Sequence, residues 1–538
     1  MQILKSIILA GTAFGLCATT ALAQIQIDEL SPASAYDSGI LDQNAGGLDS
    51  ALWQGTNAAR AVKLIESVDK PLSGPAKELV QAALLSGGVP PQSNDGLDRE
   101  AYLNARLSAI LASGNVSAFD QLVSAASLSE NDPSLRKTFT ERSLLAGQTD
   151  KACAITDSVT TERALPYWAK IRAYCHFVRG EIPAAELTAD LLKRGDHKDR
   201  AFYILIGSLT GSSTTKPNLS KLTSPLNISM ARDVLIAAKK GAYKTADLPD
   251  LLKAEIAQDG NYDGADRLIA LKSSAPLLSV DQVRNVLAGF GGTVIDSGII
   301  PADIKDWSAS HWGQAFIDLK SNNDMTVRAQ IAAQMLSRAE KLGILKPIAA
   351  ALAQDTSFIP VSLQAGADPI IFAKVAVMNN DLGALGSLYQ SLPEDDERRG
   401  RIALASDALG GGFTQAALGT DIESRLELSG SKQRRAIRDT FIAMALGANM
   451  SETTADVLEG KKTQGGQSLA EGSLLALQAA ARRGSKAEAA LRAAALIGNK
   501  SFPALRDEDL AAILTAFREA GMYQTAGRLA AQEFLSGS

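Results

Sequence analysis

Gly180-Glu181-Ile182-Pro183-Ala184-Ala185-Glu186-Leu187-Thr188-Ala189-Asp190-Leu191-Leu192-Lys193 carries the two signals on which the fold turns. A glycine stands five residues before Ala185, and Ala184, Leu187, Leu191 and Leu192 then recur at i, i+3, i+7 and i+8, with Glu186, Asp190 and Lys193 elsewhere. Gly adopts the left-handed cap that ends a helix, and a small residue early in the next helix lets the two axes approach. The spacing of the aliphatic residues predicts an amphipathic helix with one face to bury. Working outward, the same turn recurs. Gly114 leads to Phe119, Gly147 to Ala152, Gly241 to Ala246, Gly260 to Ala265, Asn380 to Leu385, Gly412 to Ala417, Gly484 to Ala489 and Gly521 to Ala526. Gly114, Gly147 and Gly180 stand 33 residues apart, Asn380 and Gly412 32, and Gly484 and Gly521 37. A period in this range is that of a two-helix unit. Ile331, Met335, Ala339 and Leu342 form a second stripe, and strand-type alternation is scarce. The expectation is an all-α chain; an irregular helical domain with glycines at ordinary helix ends is the alternative to a repeat array.

Gly260-Asn261-Tyr262-Asp263-Gly264-Ala265 resembles the turn of a tetratricopeptide repeat, with Gly, an aromatic two later and Ala five later, and Gly521 to Ala526 fits as well. Lys253 and Pro249 stand where that repeat has a packing Gly and a Trp, so no complete repeat is present. The resemblance implies a right-handed two-helix-repeat solenoid, in one block or two. A second set of residues comprises Gly39-Ile40-Leu41, Gly46-Gly47-Leu48, Leu52-Trp53-Gln54-Gly55, Tyr167-Trp168-Ala169-Lys170 and Tyr174-Cys175. Together these resemble an exported helical family of alphaproteobacteria, which implies a Gram-negative envelope setting and contributes no activity or catalytic residue.

The N-terminal residues predict export. Lys5 supplies a positive start, Ile7 to Ala18 is mostly apolar, and Ala21-Leu22-Ala23 before Gln24 offers small side chains to a signal peptidase. The expectation is a signal peptide over 1–23 and a periplasmic or secreted chain from Gln24; an uncut anchor helix is the alternative. Bulky Phe14 and Leu16 argue against lipid attachment at Cys17. No later apolar run is long enough to span a bilayer. Turn residues make 24–50 a flexible N-terminal arm. A helical block over 51–211 then meets a Ser-, Thr- and Pro-rich linker over 212–227, an irregular helical block over 228–375 and a C-terminal repeat block over 376–538.

The 538 residues are 46% hydrophobic, enough for a core, and only 5% aromatic. The net charge of −5 argues against nucleic acid as the main partner, since phosphate binding needs clustered cations. Cys153 and Cys175 are expected to form a disulfide across a helical hairpin, with two buried thiols as the alternative; a metal site using them with His176 lacks the usual ligand spacing. His176, His197 and His311 are the three histidines. Gly289-Phe290-Gly291-Gly292 lacks nucleotide-fingerprint spacing, Gly466-Gln467-Ser468-Leu469-Ala470 misses the nucleophile elbow at its last position, and the Ser-x-x-Lys pairs Ser67-Lys70, Ser213-Lys216 and Ser429-Lys432 lack companion motifs. Glu423-Ser424 lacks the continuation that a lytic transglycosylase would need. No cofactor is expected.

Lys432, Arg434, Arg435 and Arg438, followed by Lys461-Lys462 and Arg482-Arg483, form basic groups in successive stretches. Two readings stand: a solvated outer face, or a basic stripe meeting an acidic partner. The functional expectation is a periplasmic scaffold holding an envelope protein or peptide segment. A cell-wall hydrolase or a peptidoglycan- or polysaccharide-binding module is the alternative. A pocket gathering His311 with carboxylates would favour the hydrolase, a shallow groove the scaffold, and exposed aromatic clusters the saccharide binder.

Overall fold

The computed structural model describes residues 34–43, 45–68, 72–239, 241–291, 306–414, 420–459 and 466–536. The expected signal peptide and Lys461 and Lys462 lie outside them. Among the described residues there are twenty-seven α-helices and no strand, only three isolated bridges. The first nine are α1 (Ala58–Ser67), α2 (Gly74–Leu85), α3 (Gly96–Ala112), α4 (Val116–Ala125), α5 (Arg136–Leu145), α6 (Thr149–Asp157), α7 (Pro166–Val178), α8 (Ile182–Arg194) and α9 (Arg200–Thr210). Next come α10 (Pro225–Ala237), α11 (Asp250–Gln258), α12 (Gly264–Ser274), α13 (Val280–Ala288), α14 (Ala309–Ser321), α15 (Met325–Lys341), α16 (Leu345–Thr356), α17 (Val361–Ala367) and α18 (Pro369–Met378). The last are α19 (Leu382–Ser391), α20 (Glu397–Gly410), α21 (Thr420–Leu426), α22 (Gly430–Ala445), α23 (Glu452–Leu458), α24 (Glu471–Arg482), α25 (Lys486–Ile497), α26 (Asp507–Glu519) and α27 (Tyr523–Ser536). The irregular stretch after Gly211 gives way to α10 at Pro225, inside the expected linker, because proline suits the first helical turn.

Most of the glycine turns have the expected chemistry. Gly114, Gly147, Gly180, Gly241, Gly484, Gly521 and Asn380 all have positive φ. At Gly147 (φ 72°) the Gln148 amide donates to the Ser143 carbonyl at 2.8 Å and the Gly147 amide to Leu144 at 3.2 Å, the paired bonds of a Schellman cap. Five residues on, Phe119, Ala152, Ala185, Leu385, Ala489 and Ala526 are all completely buried, whereas Ala246 after Gly241 is exposed in a short 3-10 turn. The turn with the fullest tetratricopeptide-like sequence departs from the pattern. α11 ends at Gln258 before Gly260 is reached, Asp263 caps α12 through a bond from the Asp266 amide, and Ala265 is exposed. Gly411, not Gly412, is the left-handed residue after α20.

Consecutive helices pack on one another through most of the chain, but three long-range pairs depart from an open stack: α10 rests on α5, α20 on α27, and α2 on α25. Following contacts from α3 through α5, α10, α11, α12, α14, α15, α17, α18, α27, α26, α25 and α2 returns to α3, so the helix contacts close on themselves. One hydrophobic cluster runs from Leu48 to Leu535. Small residues allow the closest approaches. A Cβ on Gly527 would lie 2.3 Å from the Ala408 carbonyl oxygen, so α27 rests on α20 only because that position has no side chain.

Arginines join helices end to side. Arg106 is fully buried in α3 and donates to the carbonyls of Leu84, Ser86 and Ser38. Arg232 in α10 reaches Leu144 and Leu145, Arg267 in α12 reaches Ala257, Arg401 in α20 reaches Phe534 and Leu535, and Arg518 in α26 reaches Ala445. Apart from Ser38, each acceptor lies in or just beyond the last turn of another helix, where carbonyls lack intrahelical partners and the dipole is negative. A guanidinium satisfies two or three of them at once.

The expected flexible arm is corrected over its described part. The amides of Ile40 and Leu41 donate to Leu85, the Leu48 amide donates to Ser86 Oγ, and Leu48, Leu52 and Trp53 are buried. Trp53 Nε1 donates to the Tyr102 hydroxyl at 2.9 Å. The segment supplies backbone bonds to the end of α2, an anchoring that turn-rich composition does not reveal.

Candidate functional site

The basic residues of the C-terminal part do not form one free ridge. Arg438 is buried in α22; it donates to Asp507 at 2.6 Å and to Glu533 at 2.9 Å, and its guanidinium also reaches the carbonyls of Leu505 and Phe502. Arg435 pairs with Asp439 and Glu533. Burial opposes the charge on Arg438, but Glu533 and Asp507 outweigh it and raise its pKa. Burial pushes the Asp439 carboxyl up, against the lowering pull of Arg435 and Arg425. Arg438 and Arg435 are therefore corrected from partner contacts to internal ties, because α22 turns them toward acids of α26 and α27. Lys432 pairs at the surface with Glu397, Arg482 stands 3.9 Å from Glu519, and Arg483 pairs with the buried Glu488. Arg434 is exposed.

Cys153 in α6 and Cys175 in α7 form a disulfide with Cα atoms 5.6 Å apart. α7 starts at Pro166, a residue suited to the first helical turn. The bond consumes both thiols, so the metal alternative with His176 is overturned; His176 Nδ1 instead meets Glu181 at 2.5 Å. His311 caps its own helix. Its Nδ1 accepts from the Ser308 amide at 3.0 Å, while Ser308 Oγ accepts from the His311 amide. That is a reciprocal cap at the start of α14.

A cleft of about 460 Å3 lies between α10 and α11, within the ~300–1,000 Å3 range of ligand clefts. α10 contributes Arg232, Leu235 and Ile236 to one wall, followed by Lys239; α11 contributes Leu252, Glu255 and Ile256 to the other, followed by Asp259 and Tyr262. Tyr243, Thr245 and Leu248 from the connection complete it. Leu248, Leu252 and Ile256 are buried, whereas Ile236 is 77% exposed at the rim. The composition that makes each helix amphipathic thus leaves apolar surface between them.

The charges around the cleft are unequally committed. Arg232 donates to both Glu255 oxygens and to two α5 carbonyls; burial opposes its charge, and the Glu255 bonds raise its pKa over that opposition. Asp259 accepts from the Asn261 amide and has no ion-pair partner among the described residues. Burial first, then Asp259, Asp266 and Glu255, push the Tyr262 phenol up. Lys216, from the irregular stretch before α10, places its ammonium 4.6 Å from the centre of the Tyr243 ring and donates to the Ala242 carbonyl. Sequence reading missed this site because it treated 212–227 and the Gly241 turn as connections; the KKGAY run beside an amphipathic helix was the available signal.

Fold and site together define an all-helical protein whose helix contacts close on themselves and leave an amphipathic cleft. No protein-family model matches the chain, and no curated protein or solved structure matches it. Among the described residues no helix is long and apolar enough to cross a membrane.

Proposed function

We propose that the chain is a periplasmic helical-repeat scaffold that docks a peptide segment of an envelope partner in the α10–α11 cleft. The observation that carries this reading is an apolar floor of Leu235, Leu248, Leu252 and Ile256 opening to solvent past the exposed Ile236. Such a groove suits side chains of an extended or helical segment, and helical repeat arrays present surfaces of this kind. The array itself is read as a right-handed tetratricopeptide-like superhelix whose ends meet. The leader-like residues 1–23 and the disulfide support an oxidising, exported setting. His311, occupied in capping α14, gives the hydrolase reading no support.

The test is a photoreactive residue at Ile236 in the native host. It is expected to yield a defined adduct with an envelope protein, absent when the probe stands at the exposed Phe358 and suppressed by Leu235→Glu. Equal adducts from both positions, or none from Ile236, would overturn the reading. N-terminal sequencing of the exported chain is expected to begin at Gln24; a chain retained in the cytoplasm from Met1 would remove the envelope setting.

A further inference from the structure

Resting on the docking reading above, we infer that the cleft selects a segment in which an aliphatic or aromatic residue neighbours a lysine or arginine. The apolar side chain would occupy the Leu235–Leu252–Ile256 floor, and the cation would stand between the Asp259 carboxylate and the Tyr262 ring. Three observations carry this. First, the charges within the lining are not equivalent: Arg232 and Glu255 neutralise each other, whereas Asp259, half-buried on the opposite wall from Lys239, has no ion-pair partner among the described residues. Second, Asp259 is the C-cap of α11, so its carboxylate adds to the negative end of the helix dipole, where a cation is favoured. Arg267 of α12 is committed to the Ala257 and Gly289 carbonyls and is buried against Phe290. Third, a tyrosine of the lining already carries an ammonium: Lys216, from outside the cleft, lies over Tyr243 and bonds the adjacent carbonyl. Tyr262, with carboxylates around its phenol, offers a partner the same cation–π contact with stronger charge complementarity. Lys239 on the α10 side gives the segment a direction, disfavouring a second cation there.

The probes are three fluorescein-labelled nonapeptides, alternating leucine with lysine, leucine with glutamate, and serine with lysine. Their binding to the disulfide-bonded chain is read by anisotropy. The leucine–lysine peptide is expected to bind at least tenfold more tightly than either other peptide and to weaken as salt rises. Asp259→Asn, which keeps the bond from the Asn261 amide, is expected to reduce its affinity about threefold to tenfold. Asp259→Lys should invert the preference between leucine–lysine and leucine–glutamate. Glu394→Lys, in an exposed acidic group away from the cleft, should change nothing. Equal binding of the two leucine peptides, both lost with Leu235→Glu, would overturn the charge preference while leaving the docking reading intact. Binding of serine–lysine as tight as leucine–lysine would show attraction to an acidic surface alone and overturn the inference. No peptide binding, or binding indifferent to Leu235→Glu, would overturn both readings.

Discussion

Thr56 and Glu488 stand 432 positions apart and share a fully buried 2.8 Å hydrogen bond from Thr56 Oγ1 to Glu488 Oε2. Around it, Arg492, Arg483 and Arg60 converge on Oε1 at 2.8, 3.0 and 3.0 Å, and Ser485 Oγ lies 2.6 Å from Thr56 Oγ1. The Ala487 amide donates to Leu52, the Ser73 amide to Gly498, and Lys486 pairs with Asp49. This cluster fastens the N-terminal helices to α25. Glu488→Ala is expected to destabilise the chain by about 3 kcal/mol or more, since removing one partner of a buried pair strands the others. Hydrogen exchange should rise first over 48–58 and 485–498. An unchanged urea midpoint with unchanged protection there would refute the clasp.

The same carboxylate sets an acid limit. Burial pushes Glu488 up, but bonds from Thr56, Arg492 and Arg483 more than offset this and hold its pKa below the ordinary 4.5. Its contribution to stability is therefore fully present above about 4.5 and is lost as pH falls through the lower folded value. Below pH 4.5 the urea midpoint of the parent should fall more steeply than that of Glu488→Gln. Parallel curves would assign acid sensitivity to other groups.

Reducing the Cys153–Cys175 bond releases a loop of 22 residues joining α6 to α7. The chain-entropy model gives on the order of 3 kcal/mol for a loop of this size. A reductant should lower the thermal midpoint of the parent and leave that of a Cys153→Ala, Cys175→Ala chain unchanged. Alkylation without reductant should modify neither Cys153 nor Cys175; modification of both would remove the bond.

Arg438 and Arg434 sit one helical turn apart in α22 yet should behave oppositely. Arg438→Ala leaves Asp507 and Glu533 buried without it and is expected to cost about 3–5 kcal/mol. Arg434→Glu, on the exposed face, should stay within about 0.5 kcal/mol. Similar urea midpoints for the two variants would show that the buried ion network contributes nothing net.

Local chemistry was legible; partners distant in the chain were not. Glycine turns and buried alanines follow from cap geometry, which is a property of six consecutive residues. The stripe in α8 was misplaced in part: Leu192 is buried as read, but Leu187 and Leu191 are 61% and 59% exposed, and Ala185 and Ala189 are buried in their place. Side-chain size favoured the leucines, but close helix approach favoured the alanines, as the Gly180 turn itself had implied. In the stripe through Ile331, Met335, Ala339 and Leu342 the first three are buried as read and Leu342 is half-buried at the end of α15, because there the large residues lie on the inner face. The arginine ties from Arg106, Arg232 and Arg401 have no sequence signature, since their acceptors are backbone carbonyls that any residue supplies. The cleft eluded the reading for the same reason: Asp259, Tyr262 and Lys216 acquire meaning only when α10 and α11 face each other.

The seating of α2 on α25 has a consequence for biosynthesis. The part of α2 that rests on α25 cannot be covered until the chain has been made through residue 497, roughly 400 residues later. At about 5–20 residues per second that interval is on the order of 20–80 s. For its duration the earliest helices carry apolar surface whose complement does not yet exist. A polypeptide stopped short of α25 keeps that surface permanently, so nascent and truncated chains need shielding from aggregation that the finished molecule provides for itself.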